Sequence, residues 1–132
     1  MRVMVDSNVL ISAGVFRSQA MADVMRTIAK SHKLVLTNTI IAEVMTVVNV
    51  KFPLKANDFG GYFAELDFEY QYIPQETVAN MPIRDEKDQH ILASAKLAGV
   101  DILITGDNDF FEQNYDWVTV MRPAEFIQKF GK

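Results

Sequence analysis

The sequence contains no cysteine, which excludes thiol catalysis, cysteine-ligated zinc and disulfide bonding together. Glycine and proline are sparse, six and four in 132 residues. No Gly/Pro/Ser-rich linker, low-complexity tract or internal repeat divides the chain. No apolar run approaches the ~18 residues that a membrane span requires. Near the start, Asp6 interrupts the apolar stretch and no small-residue cleavage site follows, so a secretory signal is not expected and the reading is a cytoplasmic protein with no membrane partner. Positive charge is also short. Thirteen Lys and Arg face seventeen Asp and Glu, a net charge of −4. Taken alone this argues against a nucleic-acid partner, because binding phosphates takes a basic surface.

What is present fits an ordinary globular protein: 49% hydrophobic, 23% charged and 11% aromatic residues. The length predicts a single domain over residues 1–132, large enough to bury roughly two-thirds of its unfolded surface. Short apolar runs at 2–5 (RVMV), 34–36 (LVL), 70–73 (YQYI), 102–105 (ILIT) and 117–120 (WVTV) read as strands. Segments of helical period lie at 18–31, 39–51, 55–66, 85–98 and 123–130. Strand–helix alternation of this kind predicts an α/β fold, a three-layer α/β/α sandwich on a mostly parallel sheet of about five strands. In such sheets ligands bind outside the carboxyl ends of the strands, where strand order reverses.

Four acids stand in unusual company. Asp6 is the only charge between Arg2 and Arg17 and follows the first apolar run, though it could equally cap the next helix. Glu43 is the only charge between Lys33 and Lys51, and on a helix it shares a face with Ile40 and Val47. A carboxylate there costs several kcal/mol unless it is paired, protonated, cation-bound or at the edge of the stripe. Asp88 opens a helix that Gly99 would close, with Asp85 as its cap; it fits the first turn as a dipole partner but also continues the stripe of Ile91, Leu92 and Ala95. Asp107 follows the strand ending at Thr105 across Gly106, which predicts a tight turn, and Asp109 comes two residues later; an Asx turn is the plainer alternative.

All four acids are expected at one sheet edge. Carboxylates gathered there repel one another unless a divalent cation reverses the local charge. An all-oxygen set favours Mg2+ or Mn2+ and suits phosphodiester hydrolysis. At this point Val5-Asp6-Ser7-Asn8-Val9-Leu10-Ile11-Ser12-Ala13, Glu43 in the third helix, Arg84-Asp85-Glu86-Lys87-Asp88 and Ile104-Thr105-Gly106-Asp107-Asn108-Asp109-Phe110 together resemble the PIN-domain ribonucleases, especially VapC-like toxins of toxin–antitoxin pairs. Arg122-Pro123-Ala124-Glu125-Phe126 resembles the family's closing segment. The resemblance implies a PIN-like fold and a metal-dependent endoribonuclease cutting single-stranded or loop RNA. Asp6, Glu43, Asp88 and Asp107 would be catalytic and, with Asp109, metal-binding. Ser7, Asn8, Asp85, Thr105 and Asp109 would support them. A homodimer and a protein antitoxin are implied as partners. Ser7 stands where the family usually has Thr, and Glu86 where Pro often opens the helix; neither change removes the needed chemistry. Residues 51–82 carry no motif that aligns with the family, so substrate selection there is unread.

Other signals are weaker. Arg17, Arg84 and Lys87, then Arg26, Lys30, Lys51 and Lys55, are candidate phosphate contacts or simply solvated charges. His32 and His90 are too far apart to form a local ligand pair. Trp117 and the seven Met read as core, and Phe59, Phe63 and Leu66 as core or a dimer or partner surface, on a helical spacing that Gly60-Gly61 would weaken. A catalytically silent PIN-like binding scaffold, a housekeeping RNA-processing nuclease and an aspartyl phosphatase are the competing readings. The last lacks a second Asp at position 8, which is Asn. Setting the five site acids aside leaves twelve acids (17 less 5) against thirteen bases, so the low charge resides largely in the candidate site.

Overall fold

The structure is a computed structural model that describes residues 1–74, 83 and 86–131. Its elements run β1 (Arg2–Val5), α1 (Ser7–Gly14), α2 (Gln19–Ser31), β2 (Lys33–Thr37), α3 (Asn38–Lys51), α4 (Ala56–Ala64), β3 (Glu69–Gln71), α5 (Glu86–Ala98), β4 (Ile102–Ile104), β5 (Thr119–Met121) and α6 (Pro123–Phe130). Single 3₁₀ turns occupy Pro53–Lys55 and Asn108–Phe111. Consecutive residues Val3, Met4 and Val5, and likewise Ile102, Leu103 and Ile104, are buried. Since successive strand side chains point to opposite faces, both faces of the sheet are covered. The result is the three-layer sandwich, with α2 packed on α6 and α3 on α1 and α5.

All strand pairs are parallel and the order is β3-β2-β1-β4-β5. β1 is therefore central, and the chain departs from its neighbours in opposite directions, the arrangement that opens a crevice at the carboxyl ends of β1 and β4. Pairing continues one residue past β1, where the Asp6 amide donates to the Ile104 carbonyl at 3.0 Å.

The periodic helices and apolar strands lie within a few residues of their expected ranges. The last strand starts at Thr119 because its pairing with β4 sets Thr119 opposite Ile102. Helix α1 is absent from the periodic segments. Val9, Leu10, Ile11 and Ala13 are all buried, so the helix has little polar face from which a 3.6-residue rhythm could be read. Helix α4 runs unbroken through Gly60 and Gly61, anchored by the buried Phe59. Gly99 has φ +67° just past α5, the left-handed conformation its closing role requires. Gly106 is not left-handed, so no special backbone freedom is used there. Among the methionines, Met4, Met25 and Met121 join the core, whereas Met1, at the chain end, is exposed. Trp117 packs at the core's margin beside Tyr115.

Candidate active site

The first acid uses both its oxygens. Asp6 caps α1, with Oδ1 accepting from the Val9 amide at 3.1 Å, and its Oδ2 accepts from the Thr105 hydroxyl. Capping and site formation are thus one arrangement. Burial pushes the Asp6 carboxyl above its usual pKa, a tendency opposed by the Thr105 and Val9 bonds and reinforced by the charge of Glu43. Glu43, on α3, accepts a hydrogen bond from the Ser7 hydroxyl, which ties it to the first turn of α1.

The second group comes from α5 and the segment after β4. Asp88 is buried in the first turn of α5, where the helix dipole favours negative charge. Thr105 extends the link from the sheet: its Oγ1 donates to Asp6 and accepts from the Asp107 amide at 3.1 Å. Asp107 then caps the 3₁₀ turn, its Oδ1 accepting from the Asp109 amide at 3.0 Å, the Asx geometry expected of an acid at that place. Carboxylate oxygens of Asp88, Asp107 and Asp109 all lie within 4.8 Å of one another. Asp6 and Glu43 stand outside that cluster, but Asp6 and Asp107 line one cleft of about 300 Å³ with Asn8, Ser12, Met21 and Gly106.

Asn8 is exposed in this cleft. Lys87 is exposed on the first turn of α5, while Arg84 and Asp85 lie outside the described residues. Arg17 lines a different groove beside Asp58 and Glu65, whose charge opposes a phosphate contact. Arg26 is paired with Asp23. A further basic residue borders the site. Arg122, directly after β5, donates from Nη1 to the Gly106 carbonyl at 3.1 Å and from Nη2 to Asn108 Oδ1 at 2.7 Å. The available signal was positional: a lone charge just past the end of a strand, as at Asp6.

A family model described as PIN domain matches residues 2–109. The chain belongs to the PIN domain family. Comparison with curated proteins gives no significant match. Among solved structures, VapBC2 from Rickettsia felis, bound to a DNA fragment from the promoter, is similar with a TM-score of 0.70 and 14% identity, over 92% of this chain and 98% of that one. VapC20 of Mycobacterium tuberculosis, a Sarcin-Ricin loop cleaving toxin, is similar with a TM-score of 0.62 and 13% identity, over 88% and 98% of the two chains. At such identities the likeness is one of fold. No helix among the described residues is long and apolar enough to cross a membrane.

In this PIN domain the convergence of Asp88, Asp107 and Asp109 fits a hard divalent cation. Every donor is a carboxylate oxygen, and the spacing lets one ion reach all three. Without a cation the cluster concentrates negative charge beside the cleft, an arrangement that disfavours phosphate.

Proposed function

We propose that this PIN domain is a Mg2+- or Mn2+-dependent endoribonuclease that cuts single-stranded or loop RNA, and that it is the toxin of a toxin–antitoxin pair. The observation that carries the reading is the three-carboxylate cluster beside the cleft that Asp6, Asn8 and Asp107 line. When bound, a hard cation supplies Lewis-acid activation of water and neutralises phosphate charge. Asp88, Asp107 and Asp109 would hold it. Asp6, locked by Val9 and Thr105, presents a fixed carboxylate to the cleft, and Glu43 is oriented by Ser7. The Asn8 amide offers both a donor and an acceptor to the scissile phosphate or the attacking water. In-line attack of water on phosphorus, with the P–O3′ bond breaking and the 3′-oxygen leaving as a hydroxyl, would give the 5′-phosphate and 3′-hydroxyl ends that the family resemblance implies.

Single strands are the favoured substrate because an unpaired phosphodiester bends into an acidic cleft more readily than one in a duplex. The structural neighbour described as a Sarcin-Ricin loop cleaving toxin supports RNA, and the VapBC2 complex supports a protein antitoxin. Exposed Phe16, edge-on to Phe52 with ring centroids 5.1 Å apart, and exposed Val50 and Leu54 supply apolar area for an antitoxin or a second copy in a homodimer.

The test is cleavage of end-labelled single-stranded RNA in Mn2+. Wild type should cut, and Asp6→Asn and Asp88→Asn should each lose at least about a hundredfold in rate with circular dichroism unchanged. Undiminished cutting by these variants, or in excess EDTA, overturns the mechanism. An inert wild type would favour a silent scaffold.

A further inference from the structure

The segment 105–111 carries two of the three clustered carboxylates, so whatever fixes it fixes the spacing of the cluster. On its amino side the fixing group is Thr105 in the sheet. On the other side the side chain of Arg122 reaches across from the carboxyl end of β5. Its two terminal nitrogens grip the residues flanking Asp107, Nη1 on the Gly106 carbonyl at 3.1 Å and Nη2 on Asn108 Oδ1 at 2.7 Å. The guanidinium also lies 4.1 Å from the ring centroid of Phe111, at the end of the same 3₁₀ turn. Arg122 is itself held. Its amide donates to Glu125 Oε1 at 3.1 Å in the first turn of α6, and the Met121 carbonyl at the end of β5 accepts from the Thr105 amide at 3.0 Å. A planar fork with donors at fixed separation suits this two-point grip, which an ammonium group cannot reproduce.

We propose that Arg122 is a positioning residue for the cation cluster: by clamping Gly106 and Asn108 it holds Asp107 and Asp109 at the spacing from Asp88 that a divalent ion needs. The inference rests on the metal reading above and adds a residue to it. Two effects of opposite sign distinguish a clamp from a mere charge. As a positive charge near the cluster, Arg122 repels a cation, so its removal would tighten metal binding. As a clamp it preorganises the ligands, so its removal weakens binding.

The experiment is calorimetric titration of Mn2+ into the 132-residue chain, with unfolding midpoints measured on the metal-free proteins. Arg122→Ala should bind Mn2+ about tenfold more weakly than wild type, the lower end of what ligand-orienting partners contribute. Arg122→Lys, which keeps the charge and loses the fork, should also be weakened. Asn108→Ala removes one of the two grips and should give a smaller loss, less than additive with Arg122→Ala because the two groups share one interaction. Equal or tighter binding by Arg122→Ala, with the wild type binding normally, overturns the clamp alone. A wild type that takes up no Mn2+, or takes it up as well after Asp88→Asn, overturns the metal reading and this inference with it. If Arg122→Ala does not fold, Asn108→Ala and Arg122→Lys decide: wild-type affinity in both overturns the clamp.

Discussion

At the residue scale, Thr105 shows how one hydroxyl organises the site. It is fully buried, donates to Asp6 and accepts from Asp107. Thr105→Val conserves shape but leaves a buried carboxylate oxygen without its donor, so chemical denaturation should show a loss of about 1–3 kcal/mol, largely restored in Thr105→Ser. His32 carries a pH dependence of different origin. It packs against Phe126 and Phe130, and burial, with the N-terminal amino group, pushes its pKa below 6.5. The folded protein then binds fewer protons here than the unfolded chain, so this stability is complete above the unfolded value and is lost as pH falls below it. Replacing His32 by Gln should flatten the decline in unfolding free energy between about pH 7.5 and 5. Asp6, Glu43 and Asp107 were legible because each is a lone charge in an apolar context or follows a strand, and Asp88 because it continues an apolar helical stripe. The proposed partner of Asp107 and Asp109 was not, because Arg122 grips a carbonyl and an amide, which leave no complementary charge in the sequence.

At the scale of elements, glycines separate by what surrounds them. A Cβ at Gly14, the last residue of α1, would lie 2.7 Å from ring atoms of Phe59 and Tyr62, so α1 and α4 meet through its missing side chain. Gly14→Ala should therefore destabilise by about 1–3 kcal/mol through overpacking. At Gly60 and Gly61 a Cβ meets nothing within 4 Å. Alanine there should stabilise α4 by up to about 1 kcal/mol per site, read as a raised thermal midpoint. The contrast also explains what could be read in advance. Apolar runs revealed β1, β2 and β4 because both their faces are buried. The nearly all-buried α1 hid for the same reason, and α4 survived its glycines because Phe59 is anchored in the core.

At the scale of the whole molecule, the net charge of −4 acquires a location: Asp88, Asp107 and Asp109 are gathered at one edge of the sheet, with Asp6 on the neighbouring cleft wall. RNA retention in a binding assay should consequently depend on added divalent cation far more than on moderate changes in monovalent salt, since the cleft's lining among the described residues includes no basic side chain to release counterions. Strong binding in EDTA with a steep salt slope would place the RNA on another surface. The alternation of strands and helices was legible, but the strand order was not, because several parallel arrangements share that alternation. That order also fixes when the cluster can exist. Thr105 and Asp6 are 99 residues apart in sequence yet adjacent in space, and the central strand β1 waits for β4 to occupy its second side. Contacts so distant along the chain close slowly. During synthesis, the first hundred or so residues can pair β1 with β2 and β2 with β3 while the acids remain scattered, so the cation pocket is assembled among the last features of the fold.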